Sequence, residues 1–191
     1  EGAPGAGKST LCKFIAHQWA TEEKSVWRKE YDFVFRIRLR DLTETQCKDK
    51  QDTKKTLIAF IKTRCFNNEG AWNDEDIEAI LNNKSDKIVW LLDGYDEWHA
   101  NSEYLEDLWK YLIKSSHHVI VTSRIGYVEA LKGTYNVDFY LNLMLQGLNN
   151  RQIESYVDNF FEVIKQPEKS KPVLQQIRAN NNSVKAVPIQ L

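Results

Sequence analysis

Glu1-Gly-Ala-Pro-Gly-Ala-Gly-Lys-Ser-Thr-Leu11 opens the chain, and the stretch from Gly2 to Ser9 is a complete match to Gly-x4-Gly-Lys-[Ser/Thr]. In a loop of this composition, glycines allow backbone angles that turn successive N–H groups toward one anion. Lys8 would reach the β- and γ-phosphates of a nucleotide, and the Ser9 hydroxyl would hold Mg²⁺. Such a loop lies between a buried strand and a helix. The helix follows, with Leu11, Phe14, Ile15 and Trp19 recurring at helical spacing between Ser9 and Ala20. The strand would lie before Glu1. The sequence therefore reads as a piece of a longer chain whose first strand is cut away, leaving an open slot beside the strand expected at Val119–Val121.

A second motif, Ile88-Val-Trp-Leu-Leu-Asp-Gly-Tyr-Asp-Glu97, answers the first. Five apolar residues ending in Asp93 place a carboxylate at the tip of a buried strand, where it can bind a magnesium shell. Asp96 and Glu97 add two carboxylates just beyond, one of which can orient or deprotonate an attacking water. Alone, this would read as an acidic loop after a strand; Lys8 and Ser9 make it a partner. A third strand, Val119-Ile-Val-Thr-Ser-Arg124, ends in two hydroxyls and a guanidinium. An Arg at that place can touch a terminal phosphate and distinguish triphosphate from diphosphate.

The rest of the chain supplies the frame. Phe33, Phe35, Ile37 and Leu39 alternate with Val34, Arg36, Arg38 and Arg40, as in an edge strand with one buried and one wet face. The arginine stripe is read as solvated, since charge there discourages edge-to-edge pairing. Ile88–Leu92 and Val119–Val121 have the continuous apolar pattern of strands covered on both faces. Helices are expected over 54–66, over 73–82 behind Asn73 and an acidic first turn, and around Leu105, Leu108, Trp109 and Leu112. Asn136–Leu145 is a further strand candidate, Asn149–Phe161 a helix with an Asn149-x-x-Gln152 cap, and Lys165–Pro172 a connector before a last helix. Strands alternating with helices mean a mainly parallel α/β sheet, with a helical appendage from about residue 149. Asn83-Lys-Ser-Asp86 imitates a guanine-reading motif but precedes the acidic strand, so it is a polar turn. His117-His118 lacks partners at metal-ligand spacing and opens a strand.

Composition bounds the function. Of 191 residues, 26 are Lys or Arg and 27 Asp or Glu, a net charge of −1 that removes the case for non-specific nucleic-acid binding. No apolar run exceeds five residues, so no segment spans a bilayer as a helix. The three cysteines, Cys12, Cys47 and Cys65, form no Cys-x-x-Cys pair and read as reduced thiols of a cytoplasmic protein.

With these residues in hand, the sequence resembles a NACHT domain, the nucleotide switch of NOD-like receptors and other STAND-class P-loop ATPases. The resemblance rests on Gly2–Thr10, Phe35-Arg-Ile-Arg-Leu-Arg-Asp-Leu42, Leu91-Leu-Asp-Gly-Tyr-Asp-Glu97, Val121-Thr-Ser-Arg124, Leu145-Gln-Gly-Leu148 with Ile153, Tyr156 and Phe160-Phe161, and Val187-Pro-Ile189. It implies a P-loop NTPase three-layer fold with a parallel sheet of order 2-3-4-1-5, residues 1–148 forming the nucleotide-binding domain and 149–191 part of a helical subdomain. By resemblance, Gly2, Pro4, Gly5, Ala6 and Gly7 cradle ATP or ADP, while Lys8, Ser9 and Thr10 bind phosphate and Mg²⁺. Asp93 is the Walker B carboxylate, Arg124 the sensor and Pro188 the proline against adenine. Ile125 departs from the proline that often follows the sensor arginine. The implied function is an ATP/ADP switch with slow hydrolysis, controlling the conformation and self-association of a larger signalling receptor once flanking domains are present. Two other readings fit the loop: a nucleoside monophosphate kinase, whose Leu-Leu-Asp-Gly-Phe-Pro-Arg resembles Leu91–Tyr95, and an ADP-bound module that never turns over. A kinase needs an arginine where this chain has Asp96-Glu97, which would repel phosphates.

Overall fold

A computed structural model describes residues 1–43, 52–66, 72–82, 87–98 and 103–180. Cys47, the Asn83–Asp86 turn and Pro188 lie outside the described residues. The chain divides into two compact units, one comprising Glu1 and Lys8–Asn142, the other Gly2–Gly7 and Leu143–Leu191.

The first unit is built on a parallel sheet of β1 (Phe33–Arg38), β2 (Ile88–Asp93) and β3 (His118–Val121), in the order β1-β2-β3. Phe33 pairs with Ile88 and Arg38 with Asp93, while Val89 pairs with His118 and Leu92 with Val121. Parallel neighbours need a crossover, and helices provide it. Before β1 come α1 (Lys8–Thr21) and the short α2 (Val26–Glu30); α3 (Thr53–Arg64) and α4 (Asp74–Asn82) join β1 to β2, and α5 (Glu103–Ile113) joins β2 to β3. A further helix, α6 (Tyr127–Tyr135), follows β3.

Strand alternation sorts the core into two faces. Phe35, Ile37, Ile88, Trp90 and Leu92 pack with α3, α4 and α5, whereas Val89 and Leu91 pack on Cys12 and Ile15 of α1. Trp90 stacks on Phe35 at 4.9 Å and donates its indole N–H to His117 Nδ1 at 3.1 Å, so a large ring is buried without an orphaned donor. His118 Nδ1 pairs with the Tyr31 hydroxyl at 2.9 Å. Both histidines are thus committed to structure, and no cluster of metal-ligating side chains occurs among the described residues. Asp52 accepts from the Lys54 and Lys55 N–H groups to cap α3, and Asn73 exchanges hydrogen bonds with Asp76 at the start of α4. No helix among the described residues is long and apolar enough to cross a membrane.

The second unit holds α7 (Asn150–Val163), a 3-10 turn at Pro167–Lys169 and α8 (Ser170–Asn180). Asn149 and Gln152 form the reciprocal cap that their spacing predicts. Ser170 donates to Asp158, and Arg178 pairs with Glu154, tying α8 to α7.

Four local expectations differ from the structure. On α1 the buried stripe is Cys12 and Ile15, while Leu11 and Phe14 are exposed. Asn136–Leu145 is not a strand: only Leu145 pairs, in a single parallel bridge with Gly2, and one bridge is not a ladder. β3 is only partly buried, because among the described residues it lies at one side of the sheet. The Lys165–Pro172 connector already contains the start of α8, with Pro172 in the first turn where a missing N–H costs nothing.

Burial explains one chemical property of this core. The Cys12 thiol is pushed up to about 12 by burial first and by the Asp93 charge second, and burial pushes Cys65 up to about 11. Thiolate is the nucleophile, so in the full-length protein iodoacetamide at pH 8 should leave both peptides unmodified in the native state and label both in urea. A thiol whose folded value lies above the unfolded one stabilises fully below about pH 8.5 and loses that contribution as pH climbs through the folded values. Labelling of native Cys12 at the rate of a free thiol would contradict its burial.

Candidate functional site

The loop of the first motif owes its shape to glycine at two places. Gly5 and Gly7 adopt φ of 75° and 95°, left-handed backbone that side chains avoid, and Gly7 leads directly into Lys8 at the first turn of α1. Ala6 N–H bonds back to Ala3 O at 3.1 Å, closing a tight turn over Pro4 and Gly5. Gly2 serves a different need: a Cβ there would lie 2.9 Å from the Leu145 carbonyl oxygen. Lys8 is half-buried, and Ser9 and Thr10 are exposed at the helix start.

The second motif begins where the fully buried β2 delivers Asp93, itself 4% exposed. A carboxylate so placed must be paired. Ser9 Oγ donates to Oδ1 at 2.9 Å, Thr122 Oγ1 donates to the same oxygen at 3.0 Å, and Arg36 Nη2 donates to Oδ2 at 2.6 Å. Thr122 also fastens the chain beyond β2. Its hydroxyl accepts from Gly94 N–H at 3.0 Å, and its carbonyl accepts from Tyr95 N–H at 2.8 Å. Gly94, at φ 86°, then turns the backbone into a 3-10 segment, Tyr95–Glu97. The Tyr95 ring stacks on Trp109 of α5 at 5.1 Å, anchoring the turn from below. Burial and the neighbouring Tyr135 push the Tyr95 phenol above its ordinary range, so it stays neutral.

The two acids of this turn have different surroundings. Asp96 is clasped by Arg124, whose Nε lies 2.8 Å from Oδ2 and whose backbone N–H donates to Oδ1 at 2.9 Å; the Asp96 side chain is 3% exposed. Glu97 meets Arg40 at 3.4 Å among the described residues, and its side chain is 47% exposed.

A family model for the NACHT domain matches residues 1–163. The chain belongs to the NACHT domain family. It is also 30% identical over 133 residues to NLR family CARD domain-containing protein 4 of Xenopus tropicalis, an alignment that spans 69% of this chain and 12% of that protein. It is accordingly a nucleotide-binding domain of the P-loop NTPase fold and the NOD-like receptor type.

In this NACHT domain the residues picked out by sequence converge in part. Ser9 meets Asp93, and Asp96 meets Arg124. Pro188 is not among the described residues. Three contributors escape the sequence pattern: Thr122, Arg36 and Arg40. The expectation that Arg36, Arg38 and Arg40 form a solvated stripe is corrected at Arg36, whose side chain is 19% exposed and pairs with Asp93; Arg38 and Arg40 stay open to solvent while pairing with Asp41 and Glu97. The reason is topological. Val34 and Arg36 share a face with Leu91 and Asp93, and α1 covers that face. The usable signal was the alternation itself, which puts an arginine on the same side of the sheet as the motif aspartate once β1 neighbours β2.

The unequal surroundings of Asp96 and Glu97 predict unequal stability effects. Asp96→Ala breaks two charge-assisted bonds at a buried carboxylate and should cost about 1–3 kcal/mol in urea denaturation. Glu97→Ala removes a long, exposed pair and should cost below about 1 kcal/mol. Equal costs would mean that Asp96 is not the structural member of the doublet.

Proposed function

We propose that this domain is an ATP/ADP-binding switch with slow hydrolysis, which sets the conformation and self-association of a larger cytoplasmic receptor. The observation that carries the reading is the 2.9 Å hydrogen bond from Ser9 to Asp93, which joins the two motifs across 84 positions of sequence. A hydroxyl and a carboxylate oxygen are the donors a hard cation takes, and Mg²⁺ commonly uses one or two protein oxygens with substrate phosphates. The absence of any three-membered ligand cluster among the described residues accords with a cation that relies on phosphate for the rest of its shell. When bound, Mg²⁺ would neutralise charge on the β- and γ-phosphates.

In this reading the backbone of Gly2, Pro4, Gly5, Ala6 and Gly7 cradles phosphate, with Lys8 supplying charge and Thr10 a further hydroxyl. Asp93 is the Walker B carboxylate, Arg124 senses the terminal phosphate, and Pro188 lies against adenine. The exposed Glu97 handles the attacking water, whereas Asp96, whose two oxygens are held by Arg124, positions that arginine. The three observed strands are read as numbers 2, 3 and 4 of the family order. Residues 1–148 form the nucleotide-binding domain and 149–191 the start of a helical subdomain.

Two experiments on the full-length protein test this. Lys8→Ala removes charge-assisted bonds of about 1.5–3 kcal/mol each, so ATP affinity by calorimetry should fall about tenfold or more. Glu97→Gln should keep that affinity and slow single-turnover hydrolysis, with added AMP making no difference. Wild-type affinity in Lys8→Ala would remove the phosphate site.

Sensing has its own signature. Arg124→Ala should weaken ATP more than ADP, because only ATP offers a γ-phosphate, and a ligand shifts an equilibrium only through such differential affinity. Equal losses for the two nucleotides would reduce Arg124 to a clasp for Asp96.

A further inference from the structure

Of the three guanidinium–carboxylate contacts in the site, Arg36–Asp93 is the shortest, at 2.6 Å, and it joins two partly or wholly buried side chains, 19% and 3% exposed. Its geometry is incomplete. A guanidinium fork suits two parallel bonds to a carboxylate, yet Arg36 reaches Oδ2 through Nη2 alone. Its Nε is buried with no hydrogen-bond partner among the described residues, and a buried donor left unpaired is costly. Nor does Asp93 have a spare oxygen, since Oδ1 already accepts from Ser9 and Thr122. Any cation that approaches Asp93 from the Ser9 side therefore meets an oxygen already shared, with a positive charge on the other oxygen. Two cations within about 4 Å repel even through solvent.

We propose that Arg36 is a resident counter-ion that competes with a divalent cation for Asp93, holding the carboxylate when the site is unloaded and yielding it on loading. This rests on the reading of Ser9 and Asp93 as cation donors given above. Arg36 then satisfies a buried charge in the unloaded state, and it sets how much cation the site requires. The monodentate contact fits that role, because only one bond has to be given up. Arg38, which stands opposite Asp93 in the strand register, is no substitute, being paired with Asp41 at 2.6 Å.

The test uses Mn²⁺ as the probe and the full-length protein in the presence of ADP. Unbound Mn²⁺ is counted by electron paramagnetic resonance, and melting temperature is read in EDTA and in Mg²⁺. Arg36→Met should bind Mn²⁺ on the order of tenfold tighter than wild type. It should also melt lower than wild type in EDTA and regain most of that loss when Mg²⁺ is added. Arg36→Gln, which keeps a donor toward Asp93 without the charge, should show the same tightening and protects the test should Arg36→Met fail to fold. Affinities within about twofold of wild type in Arg36→Gln would overturn the proposal while leaving the cation site intact. A wild-type protein that takes up no Mn²⁺ with ADP would instead overturn the cation site, and the proposal with it.

Discussion

The buried carboxylate of Asp93 is the constraint around which the first unit is arranged. Removing an ionised group from water costs several kcal/mol unless its lone pairs and charge are met by partners. Those partners come from three separate pieces of chain: Ser9 from α1, Arg36 from β1 and Thr122 from the end of β3. Each piece must therefore sit within hydrogen-bond reach of one residue at the tip of β2. Hydrophobic burial brings α1 and β1 against β2, through Cys12, Ile15, Val34 and Leu91, but it is non-directional and does not aim a polar atom at a partner. The demands of Asp93 are directional. They fix where along the strand α1 begins, and hence where Lys8 stands.

Beyond Asp93 the acids are graded by what surrounds them. The Asp96 side chain is as closed to solvent as that of Asp93 and spends both oxygens on Arg124. Glu97 is half open and held by one long contact. A group that handles water needs access and an unengaged oxygen more than it needs shelter. The same 3-10 turn, which Gly94 permits, therefore contains a closed, fully engaged acid and an open one in adjacent positions.

Signals that live in a few neighbouring residues were legible in the sequence, and those that depend on distant packing were not. The run Ile88–Leu92 announced a strand covered on both faces because continuous apolarity has no other cheap explanation in a short segment. Asn149 and Gln152 announced a cap because that spacing is set by one turn of helix. Alternation along β1 correctly separated two faces, but it carries no information on which face another element will cover. Arg36 was therefore assigned to solvent although α1 and β2 enclose it. On α1 the same gap appears in reverse: helical spacing offered Leu11, Phe14, Ile15 and Trp19, and against Val89 and Leu91 the sheet took Ile15 from that set together with Cys12, leaving Leu11 and Phe14 exposed. For Asn136–Leu145 the composition suits a strand, but a strand exists only through its partners, and here it finds one residue, Gly2. Helix α6 went unseen because its stop, Asn136 at φ 50°, is a conformational choice rather than a glycine.

The same bonds that stabilise Asp93 also connect the two ends of the site. Thr122 donates to Asp93 through its hydroxyl, accepts from Gly94 and Tyr95, and stands two residues before Arg124, whose backbone and side chain hold Asp96. The turn Tyr95–Glu97 is thus tied at its start to Thr122 and at its middle to Arg124. A change at Asp93, whether a new cation or the departure of Arg36, alters the partner of the Thr122 hydroxyl. It would therefore act on the segment that carries Arg124. Such a link transmits nothing unless the bound states differ in how strongly they engage its ends. On the reading proposed above, a terminal phosphate would supply that difference at Arg124, because a guanidinium drawn toward phosphate would loosen its hold on Asp96. Asp96, being buried, cannot then be left unpaired at small cost. Either water or the turn itself must move to meet it, and a turn stacked on Trp109 of α5 would carry that movement into the helix layer.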